Sequence, residues 1–199
     1  MQYRDQLIAY IRSQANPPDK YTHQLRLFEL ARSLAGDQPF DEDVLFAAAW
    51  MHDLGVFIGH RPEDPSALAK WDNVAYAVEK TPAILTHIGF PADKIPAVLE
   101  VIRAHLPSSQ PTSFEAVLLR DADILEQLGA IGTLRVVSKV GRDTRFVHFA
   151  DAVVALERNL KQLPSLLNLP SAAVAAAPRV RILEAFIAAA KTEARGQPL

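Results

Sequence analysis

Apolar residues recur along this chain at intervals of three and four and almost nowhere at intervals of two, a pattern that predicts helices nearly throughout. Leu7, Ile8 and Ile11 mark one face of a helix over Gln6–Gln14. Asn16-Pro17-Pro18 stops it, because proline lacks an N–H and clashes with the preceding turn. A second helix is predicted from about Asp19, a suitable N-cap, to Leu34, with Gly36 near its C-terminal end. Its stripe is Leu27, Leu30, Ala31 and Leu34, and one step of four back from Leu27 falls on His23. A third helix opens at Asp41 and carries Leu45, Ala48, Ala49 and His52 on one face. Gly55 is expected to end it by accepting a positive φ. The adjacent His52 and Asp53 then lie in its last turn, where the carbonyl end of a helix favours a cation.

Ile58–Ser66 reads as a polar loop at the mouth of a site, with His60, Arg61, Pro62, Glu63 and Pro65. Ala67–Glu79 is weakly helical. Thr81-Pro82 then reads as the N-cap and first residue of a short helix ending at Gly89. Pro96 opens another, whose stripe of Val98, Val101 and Ile102 continues to His105, and Pro107 and Pro111 bracket a loop. In Ser113–Leu128, the residues Val117, Asp121, Ile124 and Leu128 share a face, with Asp123 close by. A helix over Phe146–Leu160 and a last one from about Arg179 to Glu193 complete the chain. Neither Ser171–Ala177 nor the tail after Arg195 reads as a separate domain, and Val136–Val140 is the only β-prone stretch. The expected architecture is one all-α domain spanning 1–199, with a core at about 19–130 and C-terminal helices at 146–195 packed on it.

Composition narrows the chemistry. The 199 residues are 49% hydrophobic, enough for a substantial core. A net charge of −2 offers no basic excess for a phosphate backbone, so nucleic-acid binding is not expected. The absence of cysteine excludes disulfides, thiolate metal sites and cysteine nucleophiles. The polar start of the chain, with Arg4, Asp5 and Arg12, has no signal-peptide core, and no apolar run approaches the ~18 residues of a membrane span. No membrane partner is expected, and a cytoplasmic location fits. Oligomeric state leaves no mark in the pattern.

His23, His52, His105 and an aspartate therefore stand on stripes otherwise made of Leu, Val, Ile and Ala. Burying such groups without partners is costly. Each alone reads equally well as a core polar group satisfied by backbone. Four or five together, with an adjacent His-Asp pair, are explained more economically by a shared site. Imidazole and carboxylate without thiolate suit a divalent ion such as Mn, Mg, Fe, Ni or Zn. The remaining ligand is Asp121 or Asp123, which point about 200° apart on an ideal helix and so do not both bind one ion. His60 and His148 read as loop and interface residues.

On these residues the chain resembles the HD-domain metal-dependent phosphohydrolases. His23 with Arg26 three residues on is similar to the first-histidine helix of that family, and His52-Asp53 to its doublet. Asp121-Ala122-Asp123-Ile124-Leu125-Glu126, then Gly129-Ala130-Ile131-Gly132 and Arg135, is similar to the corresponding stretch of a bacterial subgroup. His148-Phe149 and the Arg181 helix are similar to its C-terminal half. That subgroup includes nucleotide pyrophosphohydrolases, which cleave nucleoside triphosphates to monophosphate and pyrophosphate. The resemblance, from Tyr21 to Glu193, implies an all-α HD-domain helical bundle with a divalent metal between helices. It implies the ligands His23, His52, Asp53 and Asp123, with Asp53 or Asp121 orienting or deprotonating a water. It also implies Arg26, Arg135 and Arg61 as clamps on a small phosphorylated substrate, a nucleotide for choice. A second alternative is a di-iron HD-type oxygenase, in which His105 and His87 would hold a second ion. The third alternative is a non-catalytic helical signalling module that a metal stabilises. Where the subgroup often has another His or Glu after the doublet, this chain has Trp71-Asp72-Asn73-Val74-Ala75.

Overall fold

The computed structural model describes residues 2–199. Among them all regular structure is helical, as the spacing predicts: ten α-helices, three single 3-10 turns and one isolated bridge between Ile58 and Arg61. No helix among the described residues is long and apolar enough to cross a membrane. The chain forms two compact units, one ending at Arg120 and the other beginning at Asp121.

The first unit contains α1 (Tyr3–Gln14), α2 (Asp19–Ala35), α3 (Glu42–Met51), α4 (Pro65–Ala69), α5 (Asn73–His87), α6 (Ile95–Ala104) and the start of α7 (Phe114–Leu125). Its centre is α3, against which α1, α2 and α6 pack. Every residue from Val44 to Met51 is buried, as expected of a helix apolar all round. Asp41 fixes its start by accepting from the amides of Asp43 and Val44 at 3.0 and 3.1 Å. Charges lock α1 to this end. Arg4 reaches Glu42 at 2.8 Å and Asp43 at 2.6 Å, and Lys94 reaches Asp43 at 3.0 Å. Tyr3 donates its hydroxyl to Asp43 as well. Partial burial raises the Asp43 pKa, but the hydrogen bonds from Tyr3, Arg4 and Lys94 outweigh it and hold the carboxyl well below the usual range.

Two elements differ from the expectation. The segment expected to be helical from Ala67 and to restart at Thr81 is instead α4, a break, and then a single α5 with Pro82 inside. Asp72 caps α5 by accepting from the Ala75 amide at 2.8 Å. Thr81, expected as a cap, is buried mid-helix and donates its hydroxyl to the Ala77 carbonyl at 2.6 Å. Pro82 removes one amide from the ladder without ending the helix. Gly89 does end it: φ is +75°, with Phe90 N–H donating to Leu85 O at 3.0 Å and Gly89 N–H to Thr86 O at 3.1 Å.

Gly55 is the second difference. It has no positive φ and lies within a 3-10 turn, Leu54–Val56. Glycine is needed there because a Cβ would meet the Asn73 carbonyl oxygen at 2.4 Å and the Asn73 Cα at 2.8 Å. The turn after the His-Asp pair is thus pressed directly onto the first turn of α5.

The second unit begins with the end of α7 and continues as α8 (Gly129–Val137), α9 (Phe149–Gln162) and α10 (Pro170–Ala194), with α8, α9 and α10 in mutual contact. The β-prone Val136 and Val137 finish α8. The last helix starts at Pro170 rather than near Arg179, taking in the alanine-rich 171–177, with Pro178 inside. Proline at the first helical position forfeits no hydrogen bond, and alanine is the best helix former. The start of α9 shifts to Phe149, where His148 and Asp151 form a reciprocal cap.

Candidate metal centre

His23 lies in α2, and His52 and Asp53 follow α3 directly. All three are buried: His23 is 2% exposed, His52 1% and Asp53 9%. The amide of His52 still bonds to the Ala48 carbonyl, at 2.9 Å. Asp53 leaves the helix at φ −97°, ψ 9°, the sparsely populated bridge region, and its carbonyl opens the 3-10 turn by accepting from Val56. The helix end and the tight turn together aim the doublet at α2. His23 Nε2 lies 3.8 Å from Asp53 Oδ2, and His52 Nε2 lies 3.7 Å from Asp53 Oδ1. One ligand atom from each of the three residues lies within 4.8 Å of the others.

The donor set fits a metal. Atoms held about 2.0–2.2 Å from one ion stand roughly 3–4 Å apart, and the two His–Asp separations, 3.8 and 3.7 Å, fall in that range and are too long for direct hydrogen bonds. The His52 ring adds a sign. Its Nδ1 lies 2.9 Å from the Ala49 carbonyl, which only accepts, so Nδ1 carries the proton. In the neutral ring Nε2 then presents a lone pair to an anionic carboxylate. A shared cation would satisfy two such acceptors 3.7 Å apart.

His105 is also buried, one residue past α6. Its Nδ1 donates to the Ile102 carbonyl at 2.6 Å, and its ring lies 5.0 Å from that of His52. It is not among the three residues that converge, nor is His87, which is exposed at the end of α5. Arg26, half-buried on α2, donates to Thr22 Oγ1 at 3.2 Å, and Arg61 is half-buried in the loop after the site. His60 lies in that loop between Tyr76 and Gln14, and burial lowers its pKa.

The sequence-derived acids of the second unit have their own surroundings. Asp121 is fully buried, and its Oδ2 accepts from the amides of Asn168 and Leu169 at 2.9 and 2.8 Å, tying α7 to the start of α10. Asp123 accepts from Gln127 Nε2 at 3.1 Å and lies 3.6 Å from Arg135 Nη1. Arg135 is also 3.9 Å from the buried Glu126 carboxylate and donates to the Glu126 carbonyl at 3.3 Å. Sequence reasoning left Glu126 without a role, and its nine-residue separation from Arg135 matches no helical register that would have paired them.

Among curated proteins none matches this chain. Solved structures do. Bacillus subtilis YpgQ, in complex with ADP, superposes with a TM-score of 0.73 at 19% identity, covering 97% of this chain and 98% of that one. An HD-superfamily hydrolase from Bacillus thuringiensis gives 0.69 at 22% identity, covering 98% and 97%. A predicted HD-superfamily hydrolase from an uncultured Thermotogales bacterium gives 0.64 at 22%, covering 96% and 93%. At these identities the likeness speaks for the fold alone. The HD-domain sequence model matches residues 21–128, which is more than half of the chain and includes His23, His52, Asp53 and Asp123. The chain belongs to the HD-domain family.

Proposed function

We propose that this protein is a cytoplasmic, metal-dependent phosphohydrolase acting on a nucleotide or another small phosphate ester. The observation that carries the reading is the convergence of buried His23, His52 and Asp53 ligand atoms within 4.8 Å. Asp123 is assigned as the fourth ligand from its register in the family motif. A divalent ion held there supplies two things: it acidifies a water, and it polarises a phosphoryl oxygen. The chain's own groups do the rest. Asp53 orients the attacking water and receives its proton. Asp121 is assigned an assisting role only from its place in the same family stretch. Arg26, Arg135 and Arg61 meet phosphate oxygens through paired N–H donors, which match that geometry. YpgQ, similar in fold, was solved with ADP, which supports a nucleotide as the substrate class. The net charge of −2 supports a small substrate over a nucleic acid.

The proximity of the His105 and His52 rings, 5.0 Å apart, favours a second reading, an oxygenase with two irons that would draw on His105 and His87. Elemental analysis separates the two, because two irons per chain would select the oxygenase. The test of the leading reading is hydrolysis of a panel of nucleoside tri-, di- and monophosphates, sugar phosphates and generic phosphate esters. Activity on at least one member should vanish with a chelator and return with a divalent ion. Tightly held metal with no hydrolysis across the panel would instead point to a metal-stabilised signalling module.

A further inference from the structure

The segment that replaces the subgroup's extra His or Glu builds something of its own. Trp71 stands just before α5, and its indole N–H donates to the Gly55 carbonyl at 2.8 Å. Gly55 is two residues from Asp53, so the Cα atoms of the two are at most about 7 Å apart. Gly55 is itself pressed against Asn73, which fixes the Trp71 segment relative to the metal-bearing turn. The Tyr76 ring lies 5.2 Å from that of Trp71, inclined at 48°. The His60 ring lies 5.7 Å from that of Tyr76, inclined at 75°. Trp71, Tyr76 and His60 are all half-buried, neither in the core nor scattered on the surface.

The polar atoms of this cluster are committed inward. His60 Nε2 meets the Gln14 amide oxygen at 2.9 Å, an acceptor, so Nε2 carries the proton and Nδ1 accepts from the Tyr76 hydroxyl at 3.0 Å. The Trp71 N–H is taken by Gly55. Asp72, the one charged residue of the segment, uses its carboxylate to cap α5. The Lys80 ammonium lies 5.5 Å from the Tyr76 ring centroid, so what remains to offer a visitor is chiefly the ring surface of the half-buried Trp71, whose edge is held by its hydrogen bond to Gly55. Such a surface binds planar rings with little regard for their hydrogen-bonding pattern.

We infer that Trp71, backed by Tyr76, forms a ring-stacking subsite for the base of a nucleotide whose phosphates reach the His23, His52 and Asp53 centre. This rests on the phosphohydrolase reading and narrows it: the substrate is a nucleotide rather than a sugar phosphate or other non-aromatic ester, and selection among bases is weak.

The test uses the two tryptophans of the chain. Trp50 is 1% exposed and Trp71 is half-buried, so a change in fluorescence on ligand contact reports on Trp71. The full-length protein with Mg2+ is titrated with adenosine, adenosine monophosphate and ribose 5-phosphate, with tryptophan fluorescence and calorimetry read together. Adenosine and its monophosphate should quench, and ribose 5-phosphate should not. In Trp71→Phe the quench should vanish while calorimetric affinity stays within a few-fold. In Trp71→Leu affinity for adenosine monophosphate should fall roughly tenfold to a hundredfold, with ribose 5-phosphate unchanged. A quench that persists in Trp71→Phe, equal wild-type affinities for adenosine monophosphate and ribose 5-phosphate, or no binding of any of the three would each overturn the inference. Quenching by adenosine without hydrolysis of any phosphate would leave the subsite standing and sink the phosphohydrolase reading. Hydrolysis with no preference for nucleotides would do the reverse.

Discussion

Replacing Gly55 by alanine tests how the turn after His52 and Asp53 is held. The added Cβ would stand 2.4 Å from the Asn73 carbonyl oxygen, 2.8 Å from its Cα and 3.0 Å from its carbonyl carbon. All three are backbone atoms at the start of α5, so no side chain can swing aside. Restoring an ordinary contact needs about 1 Å of separation between the turn and α5. Overpacking of this kind costs about 1–3 kcal/mol, and a backbone obstacle puts it at the upper end. For a chain of this length, 2–3 kcal/mol corresponds to a fall in melting temperature of about 4–12 °C. If Asp53 holds an ion as proposed, a share of that movement above the roughly 0.2 Å a metal ligand tolerates would also weaken metal binding. Melting curves by circular dichroism with a chelator, followed by metal content after reloading, read both effects. Gly55→Asn sharpens the comparison. Were glycine present for its backbone freedom, asparagine, which tolerates positive φ, would be milder than alanine. The observed contact predicts that asparagine is at least as damaging. An alanine variant within about 1 °C of wild type, or an asparagine variant milder than alanine, would refute the reasoning.

The other expectations are briefer. Arg26→Ala and Arg135→Ala should keep the metal and lose about 2–4 kcal/mol of transition-state stabilisation in kcat/KM; wild-type kinetics in either variant would make that arginine structural. Asp121→Ala strands the amides of Asn168 and Leu169 and should destabilise the protein by about 1–3 kcal/mol, seen as a lower denaturant midpoint without chelator. Asp43→Asn should be less stable than wild type at neutral pH. Because the folded-state pKa of Asp43 is depressed, its contribution is full above the unfolded carboxylate range near ~3.9 and fades as pH falls below it. The two melting temperatures should therefore converge in acid, and a gap that widens there would contradict the assignment.

Much of this could be read from residue spacing because burial drives it. His23, His52 and His105 each continue an apolar stripe at three- and four-residue steps, and all three are buried. The cap at Asp41 was equally legible, since its side chain acts on residues two and three positions away. What spacing missed depends on contacts between distant segments. The reason for Gly55 is Asn73, eighteen positions on, and no local rule distinguishes a glycine needed for φ from one needed for clearance. Thr81-Pro82 reads locally as the start of a new helix and the last helix as starting from about Arg179, yet Pro82 and Pro178 are both helix-interior. Here both sit within longer helices whose faces pack elsewhere in their own units, and that packing outweighs one missing hydrogen bond. Asp121 shares the apolar stripe of its helix, but its partners, the amides before α10, lie 47 and 48 positions away and left no trace in the pattern.

The central claim is that His23, His52 and Asp53 hold one divalent ion, and elemental analysis of the purified protein tests it most directly. Wild type should carry about one ion per chain, and adding that ion to chelator-treated protein should raise its melting temperature, since binding favours the folded state. His52→Ala should fail to retain the ion and should show no such rise, while remaining helical by circular dichroism. A folded His52→Ala protein with full metal content would contradict the account.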